Sequence, residues 1–210
     1  MDLFKYFPKE YYNLDSDKNS LEIVTNITKR FTITDEVKTN AVAYYDYVLS
    51  DGETPENLAH KVYGNSNKHW IVLMMNDIVD PQSDWPKEVS TLNRFIEKKY
   101  EVEANGSPVL SWSQSNISGY YKSMKRTNVN TNFFRREVIE VDANTYANIV
   151  NSSTTVTLYS GDDIVYDIEK FTESYYEYEV RVNEKRRNIK ILKNEYVDSV
   201  MRELEGIFEQ

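Results

Sequence analysis

The stretch DGETPENLAHKVYGNSNKHWIVLMMNDIVDP, residues 51–81, decides the fold. It follows AYYDYVLS, residues 43–50, whose tyrosines and valine favour a strand, and Asp51-Gly52 is a turn signal. Thr54 fits a helix N-cap, Pro55 the first helical position, and Glu56 the positive end of the helix dipole. Leu58, Ala59 and Val62 mark one apolar face, and Gly64 stands where a helix ends in the left-handed conformation that glycine tolerates. Ser66 or Asn67 can cap a second helix through Trp70, Leu73 and Met74, with Asn76 near its end and Asp80-Pro81 as the stop. The order is strand, turn, helix, tight turn, helix.

Within it, WIVLMM is the most apolar run of the chain. It amounts to under two helical turns, about 9 Å at 1.5 Å per residue, so on a small two-helix unit part of it faces outward. Either a neighbouring helix or another chain covers that surface. The neighbour is the helix predicted over residues 85–100, with Val89, Leu92, Phe95 and Ile96 on one face and Lys98 and Lys99 in its last turn.

Outward from this centre, residues 1–40 carry Phe4, Tyr6, Phe7, Tyr11 and Tyr12 around Pro8, then Ile23, Val24, Ile27, Phe31 and Ile33, without a sustained period. Such a segment buries its aromatics on the rest of the chain or on a partner. Residues 101–175 begin with turn formers and continue as alternating strand-like runs, REVIEVDANTYANIV and STTVTLYSGDDIVYDI. They predict a small antiparallel β region with Ser160-Gly161-Asp162-Asp163 as a hairpin turn. A charged turn and a short strand, NEKRRNIKIL, lead to a terminal helix capped at Asn194. Its stripe of Val197, Val200, Met201, Leu204, Ile207 and Phe208 seeks a surface, internal or on a neighbour.

Composition narrows the function classes. Forty per cent hydrophobic and 13% aromatic residues suffice for a core, and seventeen tyrosines suit interfaces that stay partly wet. A net charge of −9 argues against general nucleic-acid binding, and no apolar stretch approaches the length of a membrane span. The absence of cysteine excludes disulfides and thiolate sites. His60 and His69 are nine residues apart on different predicted helices, not the four that a helical zinc pair needs. No phosphate-binding glycine loop and no serine elbow occurs, so no catalytic residue, cofactor or metal is expected. Thirty-four acidic residues guarantee close carboxylate pairs, and none stands out as a hydrolytic pair.

Gly52-Glu53-Thr54, Leu58-Ala59 and Tyr63-Gly64 resemble the LysM module, which by itself implies peptidoglycan or chitin binding. The longer pattern of Pro55, Glu56, Leu58, Ala59, Tyr63, Gly64, Asn65, Trp70, Asn76, Asp77, Asp80, Pro81 and Trp85 resembles the baseplate wedge protein 53 family of T-even-like contractile-tailed phages. LFKYFPKEYY and VNEKRRNIKILKNEYVDSVMRELEGI resemble the two ends of that family, and residues 101–175 carry no resemblance.

The resemblance implies a structural subunit that joins wedges by contacting neighbouring wedge and inner-core proteins, repeated around the sixfold axis of the virion's tail baseplate and assembled in the host cytoplasm. The expected architecture is α+β. It comprises an N-terminal docking arm (1–40), a LysM-like strand-helix-helix-strand core with its following helix (41–100), a β-rich insertion (101–175) and a C-terminal strand and amphipathic helix (176–210). Phe4, Tyr6, Phe7, Tyr11, Trp70, Trp85, Val200, Leu204 and Ile207 are the candidate interface residues. The rival readings are a peptidoglycan-binding module and a tail-associated muralytic enzyme.

Overall fold

The computed structural model describes residues 3–13, 21–29 and 31–208, except the side chains of Phe4 and Phe208. A 3-10 turn, Leu3–Tyr6, precedes β1 (Lys9–Tyr12), β2 (Glu22–Thr25), α1 (Asp35–Thr39), β3 (Tyr44–Val48), α2 (Pro55–Tyr63), α3 (His69–Met75) and α4 (Pro81–Asp84). Next come α5 (Val89–Lys99), α6 (Val109–Ser115), β4 (Ile117–Asn128), β5 (Phe134–Val141), α7 (Ala143–Asn148), β6 (Ser152–Thr157) and β7 (Asp163–Ser174). The chain closes with α8 (Tyr175–Lys185), β8 (Asn188–Leu192) and α9 (Asn194–Phe208). It divides into two units, residues 1–88 with 184–210, and residues 89–183.

In the first unit, the local signals around α2 act as read. Thr54 Oγ1 accepts from the Asn57 N–H at 3.2 Å, Pro55 opens α2, and Gly64 ends it at φ +67°. The second cap is Asn65, whose side chain accepts from the Asn67 N–H at 2.9 Å and starts a 3-10 turn that runs into α3. Asp80-Pro81 does not end the unit. Asp80 accepts from the Gln82 N–H and Pro81 takes the first helical position, so the pair begins the one-turn α4.

Strand β3 pairs antiparallel with β8, Tyr44 opposite Leu192 and Val48 opposite Asn188. Two side chains lock this pairing to the helices. The Asn76 amide donates to the Lys190 carbonyl at 2.8 Å and accepts from the Lys190 N–H at 2.8 Å, so it joins the end of α3 to β8 as a further strand would. The buried Tyr63 hydroxyl donates to the Leu192 carbonyl at 3.0 Å. Around them Leu58, Ile71, Val72, Met75, Ile191, Leu192, Val197 and Leu204 form the buried core, so β8 and α9 cover WIVLMM.

In the second unit, β5-β4-β7-β6 form an antiparallel sheet. The β6–β7 turn covers residues 158–162, starting two residues before the expected Ser160, with Gly161 at φ +86° and Asp163 already opening β7. Of the face expected on α5, Leu92 and Ile96 are buried with Tyr100 in this unit's own apolar cluster, while Val89 and Phe95 stay exposed. Trp85 precedes that helix and is buried in the first unit.

Three helices fall where turns or strands are expected. α6 forms because Leu110 and Trp112 pack on this cluster, Trp112 stacking on Tyr175 at 5.1 Å, and packing overrides the weak helix preference of its serines. α7 starts because Asp142 accepts from the N–H groups of Asn144 and Thr145. α8 starts with a capping box. The Ser174 N–H donates to Glu177 at 2.8 Å, and the Glu177 N–H donates to Ser174 Oγ at 3.2 Å.

Two buried carboxylates tie α8 to this unit. Glu179 accepts from Lys99 Nζ at 2.6 Å and the Tyr100 hydroxyl at 2.7 Å. Glu173 accepts from Arg181 at 2.5 and 2.9 Å and from the Tyr121 hydroxyl at 3.0 Å. The Arg181 guanidinium holds Glu173 below its ordinary carboxylate range, while burial followed by Glu173 itself raises the Tyr121 phenol.

Asn76→Ala leaves the N–H and C=O of Lys190 without their partner and should cost about 3 kcal/mol in urea unfolding. Glu173 has a folded-state pKa below its unfolded value near 4.3. Its stabilisation is therefore complete above that value and lost as pH falls through the folded one. Glu173→Gln should lower stability at neutral pH and flatten the loss in acid, measured as urea midpoints across a pH series.

Candidate assembly surface

The N-terminal segment combines an anchored foot with an exposed blade. Phe7, 8% exposed, meets Phe31 edge-on at 6.0 Å, and Phe31 meets Trp70 of α3 in the same manner at 5.9 Å. This aromatic relay fixes the start of the chain to the helix at the centre of the core. Beyond Pro8 the chain enters the β1–β2 ribbon, closed at its base by Asn26 N–H to the Pro8 carbonyl at 2.8 Å and by Asn26 Nδ2 to Glu10 at 2.7 Å. The register sets Tyr11 opposite Ile23, on one face of the ribbon. Tyr11 is 73% exposed and Ile23 61%, and Tyr12, Leu21 and Ile27 are exposed as well. A two-stranded ribbon rarely stands alone with this much uncovered apolar surface, which is the kind of patch that contact sites present.

At the ribbon's foot lies an apolar hollow of about 450 Å³, lined by Leu3, Phe7, Phe31, Met74, Ile78 and Val79. Asp77, at φ +55°, stands at its rim and is held there by the buried ammonium of Lys38. The hollow gives the first unit a concave apolar surface beside the convex ribbon.

The candidate interface residues divide accordingly. Phe4 lies in the 3-10 turn, and its side chain is outside the described residues. Tyr6 packs against the core, Phe7 is buried, and Tyr11 is exposed. Trp70 is 4% exposed, and its indole N–H has no acceptor among the described residues. Trp85 is 8% exposed and donates its indole N–H to the Glu53 carbonyl at 2.7 Å, clamping the turn before α2. Along α9, Leu204 is buried, Val200 is half-buried and Ile207 is exposed. Tyr6, Trp70, Trp85, Val200 and Leu204 thus meet in one core, while Tyr11 and Ile207 face solvent.

Tyr12, Leu21, Ile23 and Ile27 are the additional exposed residues. The sequence carries little sign of the ribbon, since KEYY and EIVT are four residues each and neither alternates apolar with polar side chains. His60 faces solvent on α2, and His69 Nδ1 lies 3.0 Å from the Ser66 carbonyl as part of a helix start. Among the described residues, no helix is long and apolar enough to cross a membrane.

The family model described as base plate wedge protein 53 matches residues 2–207. The baseplate wedge protein gp53 of Enterobacteria phage T4 is 27% identical to the chain over 214 residues, covering 99% of the chain and 96% of that protein.

The split between foot and blade predicts unequal stability effects. Phe7→Ala should destabilise by about 3 kcal/mol through the cavity it leaves. Tyr11→Ser should stay within about 0.5 kcal/mol, as exposed positions do. Thermal unfolding of the two variants beside the wild type measures both.

Proposed function

The chain belongs to the base plate wedge protein 53 family and is a structural subunit of a phage tail baseplate, and from that premise we propose that it joins neighbouring wedges by docking the β1–β2 ribbon onto an adjacent wedge or inner-core subunit. The observation that carries this reading is the exposed Tyr11–Ile23 pair on a ribbon whose foot is fixed by Phe7, Phe31 and Trp70. Tyrosine and aliphatic surface held on a rigid base loses little entropy on docking, which favours a durable joint.

The strand-helix-helix-strand arrangement of β3, α2, α3 and β8 is read as a LysM-like core devoted to protein contact. In this reading the glycan-binding role of a LysM module is replaced by assembly, and the subunit is not an enzyme. Copies repeat around the sixfold axis of a contractile tail, with the exposed end of α9 at Ile207 as a second contact. Assembly takes place in the host cytoplasm before the baseplate becomes part of the virion.

The test is a pair of exposed-face substitutions, Tyr11→Ser with Ile23→Ser, supplied to phage lacking the gene. Deleting the whole N-terminal segment would also remove Phe7 from its buried site, so point changes separate docking from folding. The double variant should unfold at the wild-type temperature, yet enter baseplates several-fold less than the wild type, quantified by mass spectrometry of purified particles. Incorporation at the wild-type level would overturn the ribbon as the docking element.

A further inference from the structure

The four-stranded sheet of the second unit has an open edge at β5. The Asn128 N–H donates to the Phe133 carbonyl at 2.8 Å, so Asn128 and Phe133 form a hydrogen-bonded pair at the start of the β4–β5 ladder. Hydrogen-bonded and non-hydrogen-bonded pairs alternate along an antiparallel ladder. With Thr127 opposite Phe134 and Tyr121 opposite Glu140, the residues of β5 whose N–H and C=O point away from β4 are Phe134, Arg136, Val138 and Glu140. These outward groups have no backbone partner among the described residues. Phe134, Val138 and Ile139 are also exposed, at 59%, 48% and 47%.

The sequence of this edge specifies what fits it. Outward residues pair only with outward residues, so a second β5 adds antiparallel only in even registers. Centred on Val138, the pairing sets Val138 against Val138 of the second copy and Arg136 against Glu140 twice, all on one face. One step in one direction brings Glu137 against Glu137, and one step further brings Arg136 against Arg136. One step in the other direction sets Val138 against Glu140.

The Val138-centred register alone joins opposite charges on both sides of an apolar centre within the strand. The Glu140 carboxylate has no hydrogen bond or ion pair among the described residues, and so is available. In the free chain Arg136 Nε donates to Ser123 Oγ at 2.8 Å and the guanidinium lies 6.0 Å from the Phe171 ring, over the sheet, so Arg136 turns outward to meet the incoming carboxylate. The opposite edge, β6, reads Ser-Ser-Thr-Thr-Val-Thr and carries no charge to select a register.

We infer that β5 is a self-recognition edge, through which two copies of the free subunit pair about a twofold axis at Val138 and join their sheets. The pairing covers strand groups that would otherwise accept any exposed strand in a pool of unassembled subunits. It concerns the free protein and is independent of the ribbon proposed for docking.

Sedimentation equilibrium of the full chain tests it. The wild type should show a reversible monomer–dimer equilibrium. Val138→Pro removes only an outward N–H and is compatible with an edge strand, and it should weaken dimerisation at least tenfold. Glu140→Arg should do the same by setting two arginines against each other. Combining Glu140→Arg with Arg136→Glu restores the opposite-charge pairs and should return the dimer to within a few-fold of wild type. Hydrogen exchange should show the amides of Phe134, Arg136, Val138 and Glu140 slowing as concentration rises. A chain that stays monomeric throughout, or a dimer that Val138→Pro and Glu140→Arg leave unchanged, would overturn the inference.

Discussion

The pairing of β3 with β8 is the constraint on which the first unit depends. It joins segments far apart in the chain, and Asn76 reaches Lys190 across 114 residues. Closing so long a loop has an entropic cost that grows slowly with length. Burial of Leu58, Ile71, Met75, Ile191, Leu192 and Leu204 offsets it. Asn76 gives the closure its register, because its amide satisfies both backbone groups of one residue and would satisfy neither if β8 slipped by one. Tyr63 adds a second register lock at Leu192.

This closure also brings α9 against the two-helix core, burying Val197, Met201 and Leu204 in the same cluster as Trp70 and Ile71. The N-terminal segment then attaches through Phe31 and Phe7. Order therefore passes from backbone pairing to core, from core to aromatic relay, and from relay to the exposed ribbon. The hydrophobic foot beneath β1 and β2 supplies the support that a two-stranded ribbon lacks on its own.

Much of this was legible locally. Thr54, Pro55 and Gly64 bound α2 as their chemistry dictates, because caps and left-handed turns act over three or four residues. The Gly161 hairpin was legible for the same reason, and the terminal helix through its apolar stripe, although Asn194, expected as its cap, is the first residue inside α9. The motif Ser174-x-x-Glu177 is a local capping-box signal as well, and the strand-favouring Tyr175, Tyr176 and Tyr178 around it obscure it. α6 was not legible, since its helix depends on Trp112 finding Tyr175, a contact between distant segments. Nor could Phe7 be separated from Tyr11 in the sequence. Both are aromatics beside Pro8, and only the distant Phe31 decides which is buried.

The central claim is that the chain is a structural baseplate subunit whose N-terminal ribbon makes its wedge contact. A cryo-electron microscopy reconstruction of the baseplate from virions carrying this protein tests that most directly. The chain should lie between adjacent wedges, with Tyr11, Tyr12 and Ile23 covered by a neighbouring subunit and β3 still paired with β8. A reconstruction in which those three side chains face solvent while the subunit is held elsewhere would contradict it.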